Sequence, residues 1–110
     1  MTSPASRAVL VTGCSTGIGR ATALRLARAG WPVFATARRV EAIRDLEAGC
    51  RCLPLDVCDE GSMRAAVEAV EKEHGAVGAL VNNAGYGSEG PLEEIAMEEV
   101  IRRVYEGALR

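Results

Sequence analysis

Short apolar runs alternate along this chain with longer stretches whose apolar residues recur every three or four positions. Ala8–Val11 is an apolar run too short to nucleate a helix and bounded by turn residues, so it reads as a strand buried on both faces. Arg20–Ala29 follows as a helix, with Leu24, Leu26 and the alanines on one face and Arg25 and Arg28 outside. Gly30 stands at its C′ position and Pro32 blocks its continuation. Val33–Ala37 reads as a second strand, Glu41–Ala48 as a short helix closed by Gly49, and Arg51–Val57 as a third strand. Pro54 assigns that third strand to an edge, because proline has no N–H to give to a ladder. Asp59 is an N-cap for a helix running to about His74, with Met63, Ala66, Val67 and Val70 at helical spacing. Gly75 and Gly78 frame the turn around a fourth strand, Val77–Val81, which ends in Asn82-Asn83-Ala84-Gly85. After the loop Tyr86–Gly90, a last helix is expected to start near Pro91 and run through Ile95, Val100 and Ile101.

Strands and helices in strict alternation require parallel strands joined by crossover helices on both faces of one sheet. The expected fold class is α/β, a doubly wound parallel sheet of about four strands in the order 3-2-1-4. In such sheets the ligand lies at the carboxyl ends of the strands where the order reverses, here between strands 1 and 4.

Composition narrows the function classes. The 110 residues make one domain at most, and 48% hydrophobic content is enough to form a core. Thirteen basic and fifteen acidic residues are interspersed, giving a formal charge of −2. Neither a basic stripe nor an aromatic platform suggests nucleic acid, since aromatics are only 4%. No segment approaches the roughly 18 apolar residues of a membrane span, and MTSPASR has no export-type apolar core, so the expectation is a cytoplasmic protein. Cys14, Cys50, Cys52 and Cys58 are expected as free, mostly buried thiols. Cys50-x-Cys52 is too tight for zinc and His74 is the lone histidine, so no metal is expected.

The candidate chemistry begins where the first strand meets the first helix. Gly13, Gly17 and Gly19 would let the backbone turn tightly and let a pyrophosphate approach the N–H groups at the helix start, where the macrodipole adds positive charge. A plain tight turn would use the same glycines. At the end of the second strand an acidic residue would bind the ribose 2′-hydroxyl of NAD, but the sequence reads Ala37-Arg38-Arg39. Guanidinium forks there suit a 2′-phosphate, which favours NADP over NAD, with Arg38 the nearer of the two. Two solvated arginines opening a helix are the plainer alternative. Asp56 ends the third strand, a position that also suits a turn or cap.

Thr12-Gly13-x-x-x-Gly17-Ile18-Gly19, Asp56 and Asn82-Asn83-Ala84-Gly85 stand in an order and spacing that closely resembles the classical short-chain dehydrogenase/reductase family. The Ala35-Thr36-Ala37-Arg38-Arg39 and Gly90-Pro91-Leu92-Glu93-Glu94 stretches look most like its hydroxysteroid and retinol dehydrogenase-like members. The resemblance implies a Rossmann-type fold, covers nearly the whole chain, and corresponds to about the first two-fifths of a typical member. It implies a cofactor site made of Gly13, Ser15, Thr16, Gly17, Ile18, Gly19, Arg38, Asp56, Val57, Asn83, Ala84 and Gly85. Within that set Asp56 and the Val57 backbone would meet the adenine amino group, and the Asn-Asn-Ala-Gly stretch would stabilise the sheet and line the site.

The family's chemistry uses a serine and Tyr-x-x-x-Lys, with an asparagine in the helix after the Asn-Asn-Ala-Gly loop. Here Tyr86 and Tyr105 are followed four residues on by Gly90 and Leu109, and the one lysine, Lys72, precedes both. The asparagine's position is either taken by Val104 or deleted between Glu106 and Gly107. No catalytic residue is therefore assigned. The expectation is a single, incomplete NAD(P)-binding domain, inactive as it stands and truncated from an oxidoreductase that interconverts an alcohol and a ketone or aldehyde. The alternative is a non-enzymatic module that binds a nucleotide or completes a sheet, with self-association through the exposed edge of strand 4.

Overall fold

The computed structural model describes residues 6–83 and position 102. The expected Pro91 helix, Ala84, Gly85, the Tyr86–Gly90 loop and Tyr105 lie outside the described residues. The elements run β1 (Val9–Val11), α1 (Gly17–Arg28), β2 (Val33–Ala37), a 3-10 segment (Val40–Ala48), β3 (Arg51–Pro54), α2 (Glu60–His74) and β4 (Ala79–Val81). The strands are parallel and ordered β3-β2-β1-β4, as the alternating pattern requires.

Side-chain alternation along β1 and β2 divides the core into two layers. Leu10 and Phe34 pack on one face with Met63, Ala66, Val67 and Val70 of α2. Val9, Val11, Val33 and Ala35 pack on the other with Ala23 of α1 and Ile43 and Leu46 of the 3-10 segment. All five residues of β2 are buried, as expected of a strand covered on both faces. Asp59 caps α2 by accepting from the Ser62 N–H at 3.2 Å. Gly30 leaves α1 with φ of 93°, the left-handed conformation that a C′ glycine supplies.

Several boundaries differ from the sequence pattern. α1 starts three residues before the expected Arg20, so the glycine turn itself opens the helix. Val40–Ala48 is a 3-10 helix kinked at Ile43 (φ −123°, ψ 16°). Its two buried anchors, Ile43 and Leu46, are three apart and align on one side of a 3-10 turn. β3 ends at Pro54, short of the expected Val57. The Leu55 N–H still donates to the Ala37 carbonyl at 2.9 Å, so by alternation the nitrogen of Pro54 faces the open edge. β4 begins at Ala79, and Ala79 is exposed while Leu80 and Val81 are half-buried. Among the four cysteines, only Cys14 and Cys50 are buried; Cys52 is half-buried and Cys58 exposed.

Candidate cofactor cleft

The carboxyl ends of β1, β2 and β3 open into a cleft of about 760 Å³. Gly13 and Ser15 line it from the first loop, Ala37, Arg38, Arg39 and Ala42 from the second, and Leu55, Asp56 and Val57 from the third. The strand order brings these stretches together, because β2 stands between β1 and β3.

The first loop is held by interlocking bonds. The Thr12 hydroxyl donates to Asn82 Oδ1 at 3.2 Å and accepts from the Asn83 N–H at 2.9 Å. The Asn83 side-chain amide donates to the Gly13 carbonyl at 3.1 Å. On the other side, the Cys14 N–H donates to the Thr36 carbonyl at 2.8 Å, and the buried Thr36 hydroxyl donates to the Val11 carbonyl at 2.8 Å. Gly13 and Gly17 take φ of 67° and 65°, where a side chain would be strained. Gly19 serves differently: a Cβ there would stand 2.3 Å from the Gly13 carbonyl oxygen and 2.7 Å from Asn83 Nδ2. The start of α1 thus lies directly against the loop it follows.

α1 presents an open N-terminus to that loop. Thr16 occupies the N-cap position in extended conformation (φ −148°, ψ 167°) but makes no side-chain capping bond, and the first turn holds no acidic residue. N–H groups left without an intrahelical acceptor at a helix start suit an anion. Ser15, Thr16 and Gly17 are exposed there, and Ile18 is 76% exposed, a large apolar side chain held in solvent at the helix opening. Arg38 and Arg39 are exposed, and the β2 residues that lead to them, Val33–Ala37, include no carboxylate.

Asp56 combines the two readings its position allowed. It lines the cleft, and its Oδ1 accepts from the Cys58 N–H at 2.9 Å in a tight local turn. Its own N–H donates to Ser62 Oγ at 2.9 Å, so the cap region of α2 fixes this end of β3. Burial pushes the Cys14 thiol up to about 11 from 9.0. Its S–H donates to the Val11 carbonyl at 3.4 Å, which makes it a packing group and not a nucleophile at neutral pH.

The cleft therefore unites Gly13, Ser15, Arg38, Asp56 and Val57 from the sequence-derived set. Gly19 and Asn83 buttress its wall, and Ala84 and Gly85 lie outside the described residues. Arg39, ranked second in sequence to Arg38, lines the cleft equally, and Ala42 was not legible as a lining residue. No group of three or more metal-binding side chains occurs among the described residues, and none of their helices is long and apolar enough to cross a membrane.

Comparison with known proteins agrees with this architecture. The family model described as short chain dehydrogenase matches residues 7–109. The chain is 43% identical over 99 residues to the NADPH-dependent 1-acyldihydroxyacetone phosphate reductase of Schizosaccharomyces pombe, covering 87% of this chain and 33% of that protein. It is 37% identical over 120 residues to human retinol dehydrogenase 8, covering 96% of this chain and 38% of the relative. A metagenomic short-chain oxidoreductase solved in complex with NADP superposes with a TM-score of 0.75 at 30% identity, over 92% of this chain and 56% of that one. The chain thus spans about a third of the length of the curated relatives it matches. With the family model matched over nearly its whole length, the chain belongs to the short-chain dehydrogenase family.

Proposed function

We propose that these residues form a single Rossmann-type domain that holds NADP(H) for an oxidoreductase interconverting an alcohol and a ketone or aldehyde. The observation that carries this reading is a cleft lined by two guanidiniums on one side and, on the other, by Gly13 and Ser15 of the loop that leads into an uncapped α1 N-terminus with no acidic residue in its first turn. These donors fit a dinucleotide that bears an additional phosphate. The similarity to NADPH-dependent and NADP-bound relatives supports the same choice.

In this reading, backbone N–H groups of the Gly13–Gly19 turn other than that of Cys14, which is bonded to Thr36, would hold the pyrophosphate, with Ser15 and Thr16. Arg38, with Arg39 beside it, holds the 2′-phosphate, and Asp56 with the Val57 backbone meets the adenine. Ile18 would cover an apolar face of the cofactor and Asn83 would border its ribose, with Ala84 and Gly85 assigned to the site by sequence alone. When bound, NADPH supplies the hydride. The proton relay of the family needs Tyr-x-x-x-Lys, which these 110 residues do not contain, so by themselves they are expected to bind without turnover.

Thermal unfolding followed by circular dichroism, with and without excess NADPH, tests the reading. A ligand at about 100 times its Kd adds about 2.7 kcal/mol of stability, enough to raise the midpoint by several degrees. NADPH is expected to raise it more than NADH does, and Arg38→Ala to erase the difference. An equal response to both cofactors, or none to either, would refute the NADP(H) assignment.

A further inference from the structure

Arg38 and Arg39 join β2 to a segment with weak internal stiffness, and Ala42 lies inside it. Val40–Ala48 is 3-10 and kinked at Ile43, so its own hydrogen bonds do little to fix where its first residues point. Its position is set by anchors from outside. Ile43 and Leu46 are buried in the layer beneath, and the Cys52 thiol donates to the Ile43 carbonyl at the kink at 3.3 Å. Both of these tie the segment to the sheet. A further contact ties it to the helix that follows the glycine turn: Arg20, in the first turn of α1, pairs with Asp45. Arg20 follows directly on Gly19, the residue packed against the Gly13 carbonyl.

We propose that the Arg20–Asp45 pair positions the arginine-bearing loop against the phosphate-binding turn, and so helps set discrimination between NADPH and NADH. Neither residue lines the cleft, so both act as positioning residues through Arg38 and Arg39. The inference rests on the NADP(H) reading above. Backbone donors of the glycine turn bind the pyrophosphate common to both cofactors and do not depend on the pair. Only the 2′-phosphate site, at the junction of β2 with the kinked segment, does. Arg20 is 29% exposed and Asp45 61%, so the pair is solvent-screened and its effect is modest. Exposed pairs of this kind correspond to about a two- to fivefold change in an equilibrium constant.

The test is the ratio of NADH to NADPH dissociation constants, measured by titration on the full chain. Asp45→Asn is expected to reduce the ratio by about two- to fivefold through weaker NADPH binding, with NADH affinity unchanged. Asp45→Glu, which keeps the charge, is expected to restore it. A purely structural role would weaken both cofactors together and lower the unfolding midpoint in proportion. That pattern, or an unchanged ratio in Asp45→Asn where Arg38→Ala loses it, overturns the positioning role alone. A chain without any NADPH preference overturns both this inference and the cofactor assignment on which it rests.

Discussion

Replacing Gly19 with alanine should destabilise this protein, although the same change in an ordinary helix would stabilise it. Alanine is favoured over glycine in helices by about 0.5–1 kcal/mol. At Gly19 the new Cβ would meet the Gly13 carbonyl oxygen at 2.3 Å and Asn83 Nδ2 at 2.7 Å. The first of these is backbone, so relief requires moving α1 off the loop, an overpacking cost of about 1–3 kcal/mol. Displacing Asn83 also loses its 3.1 Å bond to Gly13, worth about 1 kcal/mol. The balance is a net loss of about 1.5–3 kcal/mol, which lowers the midpoint by about 8–15 °C in a domain of this size. Gly61→Ala in α2 is the internal control. Its Cβ would meet only Asp59 Oδ1 at 3.4 Å, an ordinary contact. That variant should gain about 0.5 kcal/mol. Midpoints from circular dichroism melts of the two variants should therefore move in opposite directions. An unchanged or raised midpoint in Gly19→Ala would refute the close packing of α1 on the glycine turn.

Thr12→Val keeps the shape of a fully buried side chain but removes the hydroxyl that joins Asn82 and Asn83 to the first loop. A loss of about 1–3 kcal/mol is expected from urea unfolding, with an unchanged slope. Burial raises the Cys14 thiol from 9.0 to about 11, so the folded state favours the protonated form. Its contribution is complete below pH 9 and lost as the pH rises through 11, and stability should fall less steeply over that window in Cys14→Ala than in the parent. In the native protein at neutral pH, Ellman's reagent should label exposed Cys58 first and reach buried Cys14 and Cys50 only on unfolding.

The parts legible in sequence were those governed by local rules. Val33–Ala37 announced a doubly covered strand by its unbroken apolar run, and Asp59 with Met63, Ala66, Val67 and Val70 specified both the start and the buried face of α2. Pro54 correctly assigned β3 to an edge because the missing N–H is a local property. The parts that escaped depend on distant partners. Nothing near Glu41 marks the segment as 3-10; burial of Ile43 and Leu46 under the sheet decides it. Thr12 gave no sign of gripping residues some 70 positions away, nor Arg20 of pairing with Asp45. Asp56 was legible as a strand-end carboxylate, but its anchoring by Ser62 arises from how α2 folds back.

The most direct test of the central claim uses the cofactor's adenosine end alone, since that is the part the proposal assigns to the cleft lined by Arg38, Arg39, Asp56 and Val57. Calorimetric titration with adenosine 2′,5′-bisphosphate and with adenosine 5′-monophosphate isolates the 2′-phosphate as the single difference. The bisphosphate is expected to bind at least about tenfold more tightly, a difference of about 1.4 kcal/mol, and Arg38→Ala to bring the two together. Equal affinities in the unsubstituted chain would contradict the assignment of Arg38 and Arg39 to a 2′-phosphate, and with it the choice of NADP(H).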